Sequence, residues 1–183
     1  MPDPFKAYDI RGLYPQELNE SLAYQIGNAT AQVLKLTGKR YTVGRDMRVS
    51  GPTLKQAFIK GLVDAGVIVI DIGMVSTPTV TFSMHHLDTA GGAMITASHN
   101  PPEYNGYKVY WDNAAQIISP TDVAIAKRID AAPAAKKIPR PSLEEARALK
   151  HLADSLASVC HARGVERRTR EREHELVLRA DHA

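Results

Sequence analysis

The stretch Leu54-Lys55-Gln56-Ala57-Phe58-Ile59-Lys60-Gly61-Leu62-Val63-Asp64-Ala65-Gly66-Val67-Ile68-Val69-Ile70-Asp71-Ile72 changes its period at Gly66. Before that glycine, Leu54, Ala57, Phe58, Gly61, Leu62 and Ala65 recur at helical spacing, which predicts an amphipathic helix that Gly66 stops. After it comes a nearly continuous β-branched run, as expected of a strand covered on both faces. Tyr41-Thr42-Val43 supplies a strand ahead of the helix. Strand, helix and buried strand make a β-α-β unit, so the predicted class is a layered α/β fold with a mostly parallel sheet and helices on both faces.

Working outward, Leu22, Ala23, Ile26, Ala29, Val33 and Leu34 form one apolar stripe between residues 19 and 37, a further helix with Gly38 as its stop. Thr77 before Pro78 fits an N-cap followed by proline at the first helical position, opening a helix to about Leu87. Residues 92–96 and 107–111 read as strands, and Ser119-Pro120 opens a helix to about Ala132. Residues 131–137 have the composition of a linker, and Ser142-Leu143-Glu144-Glu145 has capping-box spacing for a last helix.

Composition excludes several classes. The chain has 183 residues, enough for one domain with its own core, and its 44% apolar and 23% charged residues are those of an ordinary globular protein. A net charge of +3, with basic residues scattered, gives no nucleic-acid-binding patch. No membrane segment is expected, because the apolar run at residues 67–72 is far too short and Met1-Pro2-Asp3-Pro4 leads into a charged motif. One cysteine, Cys160, allows no internal disulfide, and a cytoplasmic setting is expected.

The chemistry concentrates where Gly92-Ala93-Met94-Ile95 runs into Thr96-Ala97-Ser98-His99-Asn100-Pro101. A serine at the end of a strand, in a loop stiffened by Pro101 and Pro102, sits where a doubly wound sheet presents its reactive groups. Ser98 is therefore the candidate nucleophile, the alternative being a loop serine that caps a turn. His99 is placed to hydrogen-bond an anion or hold the loop, since neighbours in an extended chain point opposite ways and it would not serve as base for Ser98. Asn100 is either an anion ligand or a turn cap. Arg45, Asp46 and Arg48 read as a charged loop that supports the site. No G-x-S-x-G elbow, metal-ligand spacing, P-loop or dinucleotide glycine fingerprint occurs.

Residues 96–108, ending in Glu103-Tyr104-Asn105-Gly106-Tyr107-Lys108, resemble the phosphoserine loop of the α-D-phosphohexomutases, the phosphoglucomutase/phosphomannomutase family. Three further segments match in the family's order: Phe5-Lys6-Ala7-Tyr8-Asp9-Ile10-Arg11-Gly12, Gly44-Arg45-Asp46-Met47-Arg48-Val49-Ser50-Gly51 and Gly73-Met74-Val75-Ser76-Thr77-Pro78. The resemblance spans roughly residues 4–150 and corresponds to the first of that family's four domains. It implies that Ser98 carries a phosphoryl group to and from a hexose phosphate. Lys108 then matches the lysine that acts as general acid and base, against the plainer role of a solvated lysine at a strand end. Arg11 and Tyr8 match the motif that closes beside the serine, Arg11 holding phosphate oxygens or, alternatively, only pairing with Asp9.

The resemblance also implies Mg²⁺ in the complete enzyme. The family's aspartate-rich metal loop, sugar-recognition loop and C-terminal phosphate loop do not occur in this sequence, so the phosphate on Ser98 would be the sole metal ligand. Composition shifts near residue 150: residues 1–150 hold 10 Lys and 7 Arg, whereas residues 151–183 hold 6 Arg, no Lys and 4 of the 7 His. The expected organisation is a phosphohexomutase-like domain over 1–150 and a divergent tail over 151–183, either the product of a truncated or frameshifted gene or, alternatively, an authentic helical tail. Its partners would be missing downstream domains or further copies of itself. The competing expectation is a remnant or binding module that keeps only the fold.

Overall fold

The computed structural model describes residues 5–6, 9–138 and 152–153. Its elements are β1 (Phe5–Lys6), β2 (Asp9–Leu13), α1 (Glu20–Val33), β3 (Arg40–Arg45), α2 (Gly51–Asp64), β4 (Ile68–Met74), α3 (Thr77–His86), β5 (Gly92–Ile95), β6 (Tyr104–Tyr110), α4 (Thr121–Asp130), a 3-10 turn (Ala135–Lys137) and β7 (Leu152–Ala153). The strands form one sheet in the order β1-β2-β6-β5-β3-β4-β7. Strands β5, β3, β4 and β7 run parallel to one another, and β6, β2 and β1 add a flank whose pairings, including β5 with β6, are antiparallel. The layered α/β class and its parallel core are thus as expected, and the antiparallel flank is an addition.

Alternation along each strand divides the core in two. Tyr41, Val43, Val69, Ala93, Ile95, Tyr107 and Val109 face one side, where Ile26, Leu54, Phe58, Ile125 and Ile129 of α1, α2 and α4 cover them. Ile70, Ile72, Met94 and Tyr110 face the other, against Val80 and Met84 of α3. Helices therefore cover both faces. Phe58 stacks on Tyr107 with ring centroids 5.0 Å apart, and the Tyr107 hydroxyl donates to the Leu54 carbonyl at 3.2 Å, which fixes α2 over β6. Burial pushes the Tyr107 and Tyr41 phenols well above their ordinary range, so both stay neutral hydrogen-bond donors.

Helix α1 starts where Asn19 accepts from the Leu22 N–H at 3.1 Å, a side-chain cap. The α3 cap is Ser76, one residue before the expected Thr77, and Pro78 falls inside the first turn. Helix α2 begins at Gly51, because Pro52 is tolerated in a first turn. The expected linker is instead packed: Ala135 is buried, and the Gln25 side chain donates to the Pro133 carbonyl at 3.4 Å. Strand β7 pairs Leu152 with Val69 and Ala153 with Ile70, so the sheet takes in two residues beyond position 150. The helix expected from Ser142 and the helical tail lie outside the described residues. No helix among the described residues is long and apolar enough to cross a membrane.

Candidate active site

Three loops leave the carboxyl ends of β3, β4 and β5, the parallel strands, and gather at one end of the sheet, where open α/β sheets bind ligands. The loop from β5 to β6 carries Ser98. Its φ of 57° is left-handed, a conformation that costs a non-glycine residue roughly 1–2 kcal/mol and persists only where neighbours enforce it. The neighbours are visible. The Ser98 N–H donates to Thr96 Oγ1 at 2.9 Å, and Thr96 Oγ1 donates to Asp46 Oδ2 at 2.6 Å.

Arg48 grips the same loop from its carbonyl side. Nη2 donates to the carbonyls of Ser98 at 3.1 Å and Asn100 at 2.7 Å, and Nη1 to those of Pro101 at 2.6 Å and Tyr104 at 2.8 Å. Its Nε faces Asp46 Oδ2 at 3.3 Å. One guanidinium thus satisfies four backbone acceptors that a surface loop would otherwise leave to water. The expectation that Arg45, Asp46 and Arg48 form a supporting layer describes this geometry; Arg45 Nη1 donates to the Asp46 carbonyl at 2.9 Å.

Arg11 arrives from β2. Opposite Gly106 in the register, it has room because a Cβ there would lie 3.2 Å from Arg11 Cγ. Its Nε and Nη2 bind Asp9 Oδ2 at 2.8 and 2.6 Å, and Nη1 donates to Asn100 Oδ1 at 3.0 Å. The anticipated Arg11–Asp9 pair is present, with a link to the serine loop besides. Lys108 on β6 is the cross-strand partner of Met94, so the two side chains share a sheet face, the one toward α3. It is half-buried, and its side chain has no hydrogen bond or ion pair among the described residues.

An open cleft of about 890 Å³ lies over these loops. Ser98, His99 and Asn100 line it together with Thr96, Asp46 and Arg48, and Met47, Val49, Met74 and Val75 give it an apolar wall. Arg11 and Lys108 do not line the cleft, and Tyr8 lies outside the described residues. In extended backbone His99 and Ser98 would point opposite ways. With Ser98 left-handed that alternation is broken, and both exposed side chains border one space. Thr96 and the apolar wall were not anticipated as parts of the site. Among the described residues no three His, Cys, Asp or Glu side chains come together as a metal site. Asp46, the carboxylate of the cleft, is committed to Thr96 and Arg48.

The family model described as phosphoglucomutase/phosphomannomutase, alpha/beta/alpha domain I, matches residues 3–136. A phosphomannomutase of Escherichia coli is 46% identical over 125 residues, 68% of this chain and 27% of that protein. A phosphomannomutase of Klebsiella pneumoniae is 46% identical over 125 residues, 68% of this chain and 78% of its own length. The chain spans about a quarter of the length of the Escherichia coli relative. Among solved structures, a phosphoglucomutase/phosphomannomutase family protein of Burkholderia thailandensis superposes with a TM-score of 0.64 at 36% identity, over 76% of this chain and 31% of that one.

Proposed function

The chain belongs to the phosphoglucomutase/phosphomannomutase family through its first α/β/α domain, and from that premise we propose that it carries the nucleophile half of a phosphohexomutase, with Ser98 as the phosphoryl carrier. The observation that carries this reading is the enforced left-handed turn at Ser98, exposed at the cleft and tied to Asp46 and Arg48.

In the proposed half-reaction with a hexose bisphosphate, a bond forms from Ser98 Oγ to phosphorus while the bond from phosphorus to a sugar oxygen breaks. The serine proton ends on the departing sugar oxygen. In the reverse half, phosphoserine returns its phosphoryl group to a hydroxyl of a hexose phosphate. Such transfer needs little covalent work from the protein beyond positioning and charge. Arg11 and His99 supply donors for phosphate oxygens, with Asn100 orienting Arg11, and Lys108 moves the proton.

Mg²⁺ accompanies this reading for the complete enzyme, but the residues described here do not by themselves fit it. One phosphate oxygen on Ser98 is available where a hard cation wants several oxygens, so no step is routed through the metal. Sugar selection and recognition of the distal phosphate are assigned to downstream domains. Residues 1–150 are proposed as the domain, in a cytoplasmic setting that suits a chain with one cysteine.

The test is to incubate the purified chain with glucose 1,6-bisphosphate or mannose 1,6-bisphosphate and map the phosphate by peptide mass. Phosphate on Ser98 alone is expected. Phosphate on another serine with Ser98 bare overturns the assignment, and no phosphate on any residue favours a remnant that keeps only the fold.

A further inference from the structure

We propose that Asp46 is a positioning residue for the nucleophile, acting through Thr96 Oγ1 on the amide of Ser98 and through Arg48 on its carbonyl. The inference rests on the reading of Ser98 as phosphoryl carrier. Its basis is the direction in which the hydrogen bonds must run. An ionised carboxylate only accepts, and a threonine hydroxyl has one proton and two lone pairs. At 2.6 Å from Asp46 Oδ2, the Thr96 proton is therefore spent on the carboxylate, and its oxygen is left to accept the Ser98 N–H at 2.9 Å. The charge on Asp46 thus sets the polarity of the chain, so that the Ser98 amide meets an acceptor and never a competing donor.

The same carboxylate organises the carbonyl side. Asp46 Oδ1 accepts the Arg48 N–H at 3.0 Å, and Oδ2 lies 3.3 Å from Arg48 Nε. Arg48 Nη2 then donates to the Ser98 carbonyl at 3.1 Å. Amide and carbonyl of the one residue are each held through Asp46, and the left-handed φ of 57° lies between them. No hydrogen bond joins Asp46 to Ser98 Oγ among the described residues. The Asp46 side chain is only 14% exposed and that of Arg48 9%, so the contact between the two is largely sheltered from competing water, while the bond to the Ser98 carbonyl lies at the exposed rim of the cleft.

The experiment uses the full 183-residue chain as wild type and as Thr96→Val, Thr96→Ser and Asp46→Asn. Amide hydrogen exchange at Ser98, read by nitrogen-15 NMR, tests the relay without reference to catalysis. Exchange about tenfold faster in Thr96→Val, with recovery in Thr96→Ser, is expected for loss of one hydrogen bond to a polarised hydroxyl. In single-turnover phosphorylation by glucose 1,6-bisphosphate, the maximal rate in Thr96→Val should fall about tenfold or more while the half-saturating concentration holds, as for loss of positioning rather than of binding. Wild-type exchange and wild-type rate in a folded Thr96→Val chain overturn the proposal. If Thr96→Val does not fold, Asp46→Asn carries the same two readouts, with the same expected directions and the same overturning result. If the wild type accepts no phosphate, the phosphoryl-carrier reading fails, and the catalytic part of the proposal with it; amide exchange then still decides whether the relay holds the loop.

Discussion

Arg11 Nη1 donates to Asn100 Oδ1 at 3.0 Å, joining the antiparallel flank of the sheet to the loop that carries Ser98. The remaining donors of that guanidinium are divided, Nε and Nη2 lying on Asp9 Oδ2. A phosphate arriving at Ser98 would compete with Asn100 for Nη1, a neutral acceptor yielding to a charged one.

The first prediction concerns that exchange of partners. Arg11→Ala should slow phosphoryl transfer from a hexose bisphosphate to Ser98 by about 10²-fold, the scale for removing one donor aimed at developing charge. Thermal stability should fall as well, because the change leaves Asp9, with only 11% of its side chain exposed, without its cationic partner. Rapid-quench phosphorylation together with a melting curve checks both. A large loss of stability with unchanged transfer would leave Arg11 as a pin for β2 and nothing more.

Lys108 supports a second prediction. It stands opposite Met94, a residue of the cleft lining, and its side chain has no hydrogen bond or ion pair among the described residues. A lysine on the sheet face that Met94 shares, with no carboxylate partner for its side chain among the described residues, is available to carry a proton. In a complete enzyme bearing this domain, Lys108→Ala should slow turnover by about 10²-fold, within the usual range for a positioned proton carrier. Steady-state kinetics on folded protein would show it, and unchanged turnover would make Lys108 a surface residue.

The sequence disclosed the parts of this molecule that repeat with a period. Residues 54–72 gave α2 and β4 because helical and buried-strand patterns meet sharply at Gly66, which has a φ of 82°. Strand β2 was legible as a motif but not as a strand, since Asp9 and Arg11 alternate with a buried Ile10 over only five residues. The Ala-rich run after α4 carries no apolar stripe, and nothing in its composition marks Ala135 as buried. The serine loop stood out locally, whereas the Thr96–Asp46 bond joins positions 50 residues apart. That bond follows from parallel register: Arg45 pairs with Ile95, so the next residues along β3 and β5 emerge side by side. Register of this kind is set by the folded sheet and not by either segment alone.

A third prediction tests the packing that places α2. Helices α1 and α2 cross at glycines: a Cβ on Gly61 would overlap the Tyr24 carbonyl, and one on Gly27 the Phe58 carbonyl. Replacing a helix-interior glycine by alanine normally gains about 1 kcal/mol in propensity. Here the obstacle is backbone, which cannot swing aside, and overpacking costs about 1–3 kcal/mol or more. The overlap should win. Gly61→Ala is expected to destabilise the chain by about 2 kcal/mol on that scale, read as a lower urea midpoint. A neutral or stabilising result would mean that the two helices are less closely packed than described.

The last prediction comes from the wall of the cleft. Met47 is 79% exposed, Val49 97% and Met74 61%, and all three line the same cleft as Ser98. Burying a side chain of this kind stabilises by about 1.5–3 kcal/mol, so three side by side are a strong incentive for contact with another surface. The sequence contains neither the aspartate-rich metal loop nor the sugar-recognition and distal-phosphate loops of the family. The chain on its own should therefore show no mutase turnover, and it should self-associate as its concentration rises. Sedimentation velocity on wild type and on Val49→Lys separates this from general stickiness, because only the variant should return to monomer. A coupled assay with Mg²⁺, glucose 1-phosphate or mannose 1-phosphate and the matching bisphosphate completes the test. Robust turnover that vanishes in Ser98→Ala would show that the missing loops are dispensable and that this domain is a mutase by itself.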